Sequence, residues 1–317
     1  MSEIDIIKKI AHLRIYHAVS GAKLSAFLSG GRLDTVLYPE NAETLCRVTD
    51  ILSKSTKNYC LLGTGAYTLI SDDGYDGIAV CTTRIKGLEV LRGADGCERV
   101  KAECGQSVAS VIAFMRDRGL SGLEWASGLP STIGAAVYNN IGAYGYRFCD
   151  FLDSVDVYRD GEIITLSANK CDFGYRTSIF KKDGGIVLSA TINVTKRHRS
   201  QIDSERWKYL SLRRSTQPHL PSLGCAFLRN NDKSIAEYID RMGLKGSSFG
   251  GAQVSETHAG FIVNTGGATS SDYLTLCDLL QKKVCRKYGV LFLSEFEYLG
   301  RPDIRYDRLC GKIPFEN

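Results

Sequence analysis

The sequence predicts an α+β fold divided into two domains. Three observations carry this expectation. The chain has 317 residues, more than a typical single domain holds, so two domains are the prior. Short β-patterned runs are interleaved with few helical stretches, without the strict strand–helix alternation of a parallel α/β sheet. Two long runs rich in glycine, one opening at Gly63 and one spanning Leu123 to Tyr146, interrupt these elements where backbone would have to approach something closely.

Composition narrows the class. With 44% hydrophobic and 24% charged residues, the chain has the make-up of an ordinary globule. A formal net charge of +5 suits a small anionic ligand and is too mild to argue for nucleic acid. No apolar run is long enough to span a bilayer. The N-terminus alternates charged and apolar residues and lacks the apolar core and cleavage site of a signal peptide, so a cytoplasmic chain is expected. The 11 cysteines are scattered, with no Cys-x-x-Cys pair, which predicts reduced thiols. Cys46, Cys60, Cys81, Cys277 and Cys285 fall in apolar-periodic segments and read as core filler. No His/Cys group has zinc-ligand spacing, and no metal is expected.

The elements follow in order. Ile4, Ile7, Ile10 and Leu13 recur at helical spacing and predict an amphipathic helix over 4–19. After a turn at Phe27–Gly31, residues 34–39 read as a strand closed by Pro39. Asn41 caps a helix with Leu45, Val48 and Leu52 on one face. A strand over 59–62 follows, so strand, helix and strand suggest a right-handed crossover. Short strands are expected at 77–82, 87–91 and 99–102, then a helix over 107–118. Residues 154–158 and 163–166 flank Asp160-Gly161 and predict a hairpin. A strand over 186–194 and a polar helix over 199–216, ended by Pro218, come next. The remainder reads as a helix over 233–242, a strand over 260–263, a long helix over 270–288 and a strand over 290–299, a compact α+β unit of common domain size.

The two glycine runs carry the chemistry. Strand 59–62 leads into Gly63-Thr64-Gly65 and then an apolar run to Ile70. This is not a dinucleotide fingerprint, because a third glycine is missing at the required spacing and no helix pattern opens after the turn. The second run holds Gly128, Ser131, Gly134, Ala135, Gly142 and Gly145, with Thr132, Asn139 and Asn140 as neutral donors and acceptors. Several inward N–H groups in such runs make a cradle for oxyanions. Either run alone could equally be a packed crossing loop. Together they suggest a flavin or nucleotide fold.

The residues at these places resemble a known family. Leu62-Gly-Thr-Gly-Ala-Tyr-Thr-Leu69, Gly128-Leu-Pro-Ser-Thr-Ile-Gly-Ala-Ala136 and Asn139-Asn-Ile-Gly-Ala-Tyr-Gly145 resemble, in that order, the flavin signatures of the UDP-N-acetylenolpyruvoylglucosamine reductase (MurB) family. Phe173-Gly-Tyr-Arg-Thr-Ser178, Pro221-Ser-Leu-Gly-Cys-Ala-Phe227, the run from Gly243 to Asn264 and the run from Gly289 to Gly300 continue the resemblance through nearly the whole chain. It implies an FAD-binding domain of the vanillyl-alcohol-oxidase (PCMH) type over 1–199, in two subdomains. A MurB-type C-terminal α+β substrate domain follows over 200–304, then a tail over 305–317. With no long insertion between Phe180 and Ile186, the chain is similar to the family's shorter type II form.

The resemblance also implies an activity and a site. The expected reaction is that of a UDP-N-acetylmuramate dehydrogenase: NADPH-dependent, FAD-mediated reduction of UDP-N-acetylglucosamine enolpyruvate in peptidoglycan precursor synthesis, by a monomer binding FAD non-covalently. Arg176, Cys225 and Glu295 fall on the catalytic positions. Arginine suits a carboxylate or a developing enolate because its planar fork makes two parallel bonds. Cys225 stands where the family has a serine proton donor, and a thiol is the stronger acid. Cofactor contacts are implied for Gly63, Thr64, Gly65, Ala66, Tyr67 and Leu69 in the first run. In the second they fall on Gly128, Pro130, Ser131, Thr132, Gly134, Ala135, Asn140 and Gly142, and beyond it on Ile186. Substrate contacts are implied for Tyr175, Arg176, Arg214, Gln217, Arg229, Lys245 and Gln253. His258 reads as structural. The chain departs from the family pattern at Ala66-Tyr67, Ala135, Cys225, Leu228-Arg229 and Glu297. These departures leave two alternatives open, a related flavin oxidoreductase with another substrate and a catalytically silent nucleotide-sugar-binding protein.

Overall fold

A computed structural model describes residues 6–93 and 96–314, with Ile6 and Ile7 helical and the first strand at Leu13–Ser20. The helix expected over 4–19 is overturned from Leu13 on, where Leu13–Ser20 is extended; Ile6 and Ile7 are helical, and Ile4 lies outside the described residues. Leu13 and Ile15 are half-buried while Arg14 and Tyr16 are exposed, an alternation of period two that β-branched and aromatic residues favour. A four-stranded sheet takes Leu13–Ser20, Arg32–Pro39, Tyr75–Cys81 and Tyr59–Leu62 in that order, so Tyr75–Cys81 lies between the two strands joined by helix Ala42–Ser53. That helix starts where Asn41 Oδ1 accepts the Thr44 N–H at 2.8 Å, a cap of about 1 kcal/mol. It buries Leu45, Val48 and Leu52.

By contacts the chain forms two units. The first takes the described residues through Ile15, then Leu37–Gly63 and Ala79–Arg213. Its main sheet is antiparallel throughout, in the order Glu162–Ser167, Leu152–Arg159, Ile186–Asn193, Glu98–Glu103, Leu88–Arg92. The Asp160-Gly161 turn has φ of 52° and 87°, as a two-residue hairpin requires. Helix Val108–Asp117 is capped by Ser107. Burial pushes the Cys46 and Cys171 thiols up to about 11 and those of Cys60 and Cys104 to about 12, so they remain neutral filler.

The second unit takes Tyr16–Val36, Thr64–Ile78 and the chain from Arg214. Its sheet runs Ser222–Cys225, Phe261–Asn264, Ala252–Val254, Ser248–Phe249, all antiparallel. Helix Ser270–Tyr288 has the expected bounds. Thr269 and Asp272 form a capping box at its start, and Gly289 closes it at φ 68°. One core joins Phe27 and Leu69 to Leu223, Ile262, Leu280 and Phe292. The strand expected over 290–299 is overturned for most of its length. Only Glu297–Leu299 is regular, and it pairs in parallel with Thr68–Ile70. Before it, Ser294 makes a single bridge to Phe227, because the ladder there is taken up by the irregular segment 226–228. Among the described residues, no helix is long and apolar enough to cross a membrane.

Candidate active site

In the first unit the site is built from the second glycine run. The loop expected over 123–146 contains a short helix, Ile133–Tyr138, which the scattered glycines hid. Thr132 is its N-cap, with Oγ1 accepting the Ala135 N–H at 3.4 Å. Gly63 lies directly against this cap: a Cβ there would sit 2.7 Å from Thr132 Oγ1. Gly134 N–H donates to Cys104 O at 2.8 Å, and a Cβ at Gly134 would meet Cys104 Cβ at 3.1 Å. The buried Ser131 turns its hydroxyl to Thr132 O at 3.0 Å. Gly128, at φ 83°, faces the Arg213 stem and Leu210. The structure thus brings Gly63, Ser131, Thr132, Gly134 and Ala135 together.

The Arg176 turn is fastened to the same run at three points. Asn140 Nδ2 donates to Gly174 O at 2.9 Å, Arg176 Nη2 to Gly142 O at 3.1 Å, and Ser178 Oγ to Tyr138 O at 2.7 Å. Asn140 Oδ1 also accepts the Cys149 N–H at 3.0 Å, so both ends of this buried amide are engaged. Arg176 itself has φ 54°, a left-handed conformation that an arginine adopts at some cost. The exposed Tyr175 ring lies 5.6 Å from the guanidinium carbon. Ile186 opens the strand Ile186–Asn193, and Pro130 lies in the loop before the helix.

Three further residues of this run carry buried polar atoms without a partner: Trp125 Nε1, Ser127 Oγ and Tyr144 Oη. Sequence reasoning passed over all three. The available signal was their place inside the glycine run, but tryptophan and tyrosine there read as packing.

In the second unit, three expected residues converge. Cys225 ends strand Ser222–Cys225 and is half-buried. The next residue, Ala226, donates its N–H to Gly260 O at 2.9 Å and accepts the Glu295 N–H at 3.0 Å. Cys225 and Glu295 therefore sit on neighbouring stretches of backbone. Two residues beyond Glu295, the Glu297 N–H donates to Tyr67 O at 2.8 Å, and the Tyr67 ring stands about 4.0 Å from where a Gly224 Cβ would lie. This draws Tyr67, with Thr64, Gly65 and Ala66 in the same turn, beside the Cys225 strand. Gly65 has φ 67°, and a Cβ on it would meet Leu24 O at 1.8 Å; only glycine closes this turn. Leu69 goes to the core, fully buried.

The remaining candidates also belong to the second unit. Lys245 Nζ pairs with Asp240 at 2.9 Å, and Gln253 Nε2 donates to Gly246 O at 3.2 Å. His258 Nδ1 accepts the Gly260 N–H at 3.1 Å. Burial, and then the Lys245 charge, hold its imidazole below the usual range, so it acts as a neutral loop brace. Gln217, just past helix Arg199–Thr216 on which Arg214 lies, has a buried Oε1 without a partner. Arg229 is exposed.

Comparison with known proteins completes the description. The family described as FAD binding domain matches residues 33–167. The C-terminal domain family of UDP-N-acetylenolpyruvoylglucosamine reductase matches residues 217–299. The UDP-N-acetylenolpyruvoylglucosamine reductase of Thermotoga petrophila is 37% identical over 280 residues, covering 87% of this chain and 96% of that protein. That of Lactobacillus acidophilus is 36% identical over 276 residues, covering 86% and 91%. The crystal structure of the Thermus caldophilus enzyme superposes with a TM-score of 0.77 at 28% identity, covering 90% of this chain and 99% of that one.

Proposed function

Since the chain belongs to the UDP-N-acetylenolpyruvoylglucosamine reductase family, we propose that it reduces the enolpyruvyl group of UDP-N-acetylglucosamine enolpyruvate with NADPH, through FAD. The observation that carries this reading is the two family matches in order, the flavin domain and then the reductase C-terminal domain.

The residues present fit FAD. Gly63 leaves beside the Thr132 cap a place that a Cβ would fill, and buried donors without partners line the second run at Trp125 and Tyr144. No histidine or cysteine lies within 63–69 or 128–142, so attachment is non-covalent. Thr64, Gly65, Ala66 and Tyr67 would hold the cofactor through the first glycine run. Gly63, Gly128, Pro130, Ser131, Thr132, Gly134, Ala135, Asn140, Gly142 and Ile186 are the further residues that would hold it.

When bound, FAD supplies the hydride that NADPH provides and the enolpyruvyl carbon receives. The protein supplies orientation and charge. The Arg176 fork holds the substrate carboxylate through two parallel bonds and stabilises charge that develops beside it. The Cys225 thiol gives its proton to the neighbouring carbon, and Glu295 supports that transfer. Tyr175, Arg214, Gln217, Arg229, Lys245 and Gln253 would bind the nucleotide sugar, an anion that the chain's excess of basic residues favours. The division into a flavin domain over 1–199 and a substrate domain over 200–304, a monomeric state and a cytoplasmic location belong to the same proposal.

The test is NADPH oxidation with and without the UDP-enolpyruvyl sugar. The purified protein should be yellow, and the sugar should accelerate oxidation and be consumed mole for mole. A yellow protein whose NADPH oxidation ignores the sugar would assign the fold to another substrate.

A further inference from the structure

Beyond Leu299, where the match to the reductase C-terminal domain ends, the chain continues into a further helix, Ile304–Leu309. Asp303 caps it by accepting the Arg305 N–H at 2.8 Å. Leu309 is fully buried, and the Tyr306 ring packs on Phe296 at 5.7 Å and on Tyr298 at 5.4 Å. Two arginines fasten this helix to Ser270–Tyr288. Arg305 Nη1 donates to Thr275 Oγ1 at 2.8 Å and to Ser271 Oγ at 2.9 Å. Arg308 lays its fork on Asp278, with Nε 3.2 Å from one carboxylate oxygen and Nη2 3.4 Å from the other. Asp278 is buried, and a buried carboxylate is tolerated where cations pair with it. Lys282 Nζ, at 2.6 Å, is its second cation.

No step of the proposed reaction uses this helix directly. Its contact with the stretch that carries Glu295 gives it a part. Leu309 O accepts the Ser294 N–H at 2.8 Å, and Ser294 directly precedes Glu295. That stretch has no regular ladder to fix it and is held by single bonds to separate elements. Phe292 O accepts from Gln281 Nε2 at 2.6 Å, and Leu293 O accepts the Leu228 N–H at 2.8 Å. The Glu295 N–H donates to Ala226 O at 3.0 Å. Two successive N–H groups therefore go to different partners, one on the C-terminal helix and one beside Cys225. A peptide is planar, so holding both planes sets φ and ψ between them and the direction in which the Glu295 side chain leaves the backbone. Releasing the Ser294 bond frees the dihedrals just before Glu295 and leaves the bond beside Cys225 in place.

We propose that helix Ile304–Leu309 positions Glu295, with Arg308 as the positioning residue that keeps Leu309 O against the Ser294 N–H. This rests on the reading of Glu295 as support for proton transfer from Cys225. A shift of about 1 Å in a working group can cost on the order of 10² in rate. A helix that touches no reacting atom can thus set the rate of one half-reaction.

Arg308→Gln removes the charged fork and leaves Lys282 on Asp278, so the fold should persist. In the FAD-loaded enzyme, flavin reoxidation by the enolpyruvyl sugar should fall about tenfold. Flavin reduction by NADPH, which does not need Glu295, should keep the parental rate. In a Glu295→Gln background the same substitution should cost nothing further. Arg308→Lys keeps the charge without the fork; its reoxidation rate should lie between those of the parent and Arg308→Gln, and it carries the test if Arg308→Gln does not fold. A second readout needs no turnover: amide hydrogen exchange at Ser294 and Glu295, which should quicken about tenfold in Arg308→Gln as the bond to Leu309 O opens more often. Parental reoxidation overturns the proposal. So does an equal loss in both half-reactions, or a further loss in the Glu295→Gln background, since either would make the ion pair merely structural. If the parent itself is not reoxidised by this sugar, the function reading fails, and the exchange rates still decide whether the helix holds Glu295.

Discussion

At the scale of single residues, Arg176 shows how geometry assigns a task. Its φ of 54° and its bond to Gly142 O hold the guanidinium in one place, at the expense of a relaxed backbone. Arg176→Lys should therefore fold like the parent yet lower turnover by more than about tenfold, since a point charge cannot replace a planar fork. Steady-state kcat with the enolpyruvyl sugar measures this, and a change within twofold would remove Arg176 from the site. Cys225→Ala should slow flavin reoxidation by the sugar by about 10²–10⁴, the usual worth of a positioned acid, and Cys225→Ser should restore most of the rate; stopped-flow absorbance follows both. Arg176, Cys225 and Glu295 were legible because short motifs fix them relative to glycines and prolines. Trp125, Ser127 and Tyr144 were not, because an unpartnered buried atom is a property of packing that no local pattern encodes.

At the scale of elements, the glycine turns set what substitution tolerates. Gly63→Ala pushes a Cβ toward the Thr132 cap, so it should loosen helix Ile133–Tyr138 and weaken FAD binding about tenfold, or ~1.4 kcal/mol. Titrating the deflavinated protein with FAD and reading flavin fluorescence checks it. Gly65→Ala is worse, because a positive φ and a carbonyl 1.8 Å away both oppose the methyl. Urea unfolding should show a loss of more than about 3 kcal/mol. Helices Ala42–Ser53 and Ser270–Tyr288 were legible from caps and periodicity, and the Asp160-Gly161 hairpin from its turn. Leu13–Ser20 was misread because Ile4, Ile7, Ile10 and Leu13 fall three apart before the alternation begins. Segment 290–296 looked like a strand because it is apolar, but its partner segment, 226–228, offers only an irregular edge.

At the scale of the whole molecule, acid sensitivity follows from carboxylates held ionised. Burial pushes Asp156 up, but bonds from Thr165, Lys101 and Ser189 outweigh it and hold the group below its usual range. A depressed folded value means that its stability is present in full above the unfolded value, about 3.9, and is lost as pH falls through the folded value. Asp156→Asn should flatten the acid limb of stability, measured by urea unfolding between pH 7 and pH 3. The second unit is assembled from chain that is not contiguous. Phe27 O accepts from Asn264 Nδ2 at 2.8 Å, and Thr68–Ile70 pairs with Glu297–Leu299. During synthesis these early segments emerge long before their partners. At roughly 5–20 residues per second, Ile70 waits on the order of ten seconds or more for Leu299. In that interval Phe27, Leu69 and Ile70, all fully buried at the end, face water on the nascent chain.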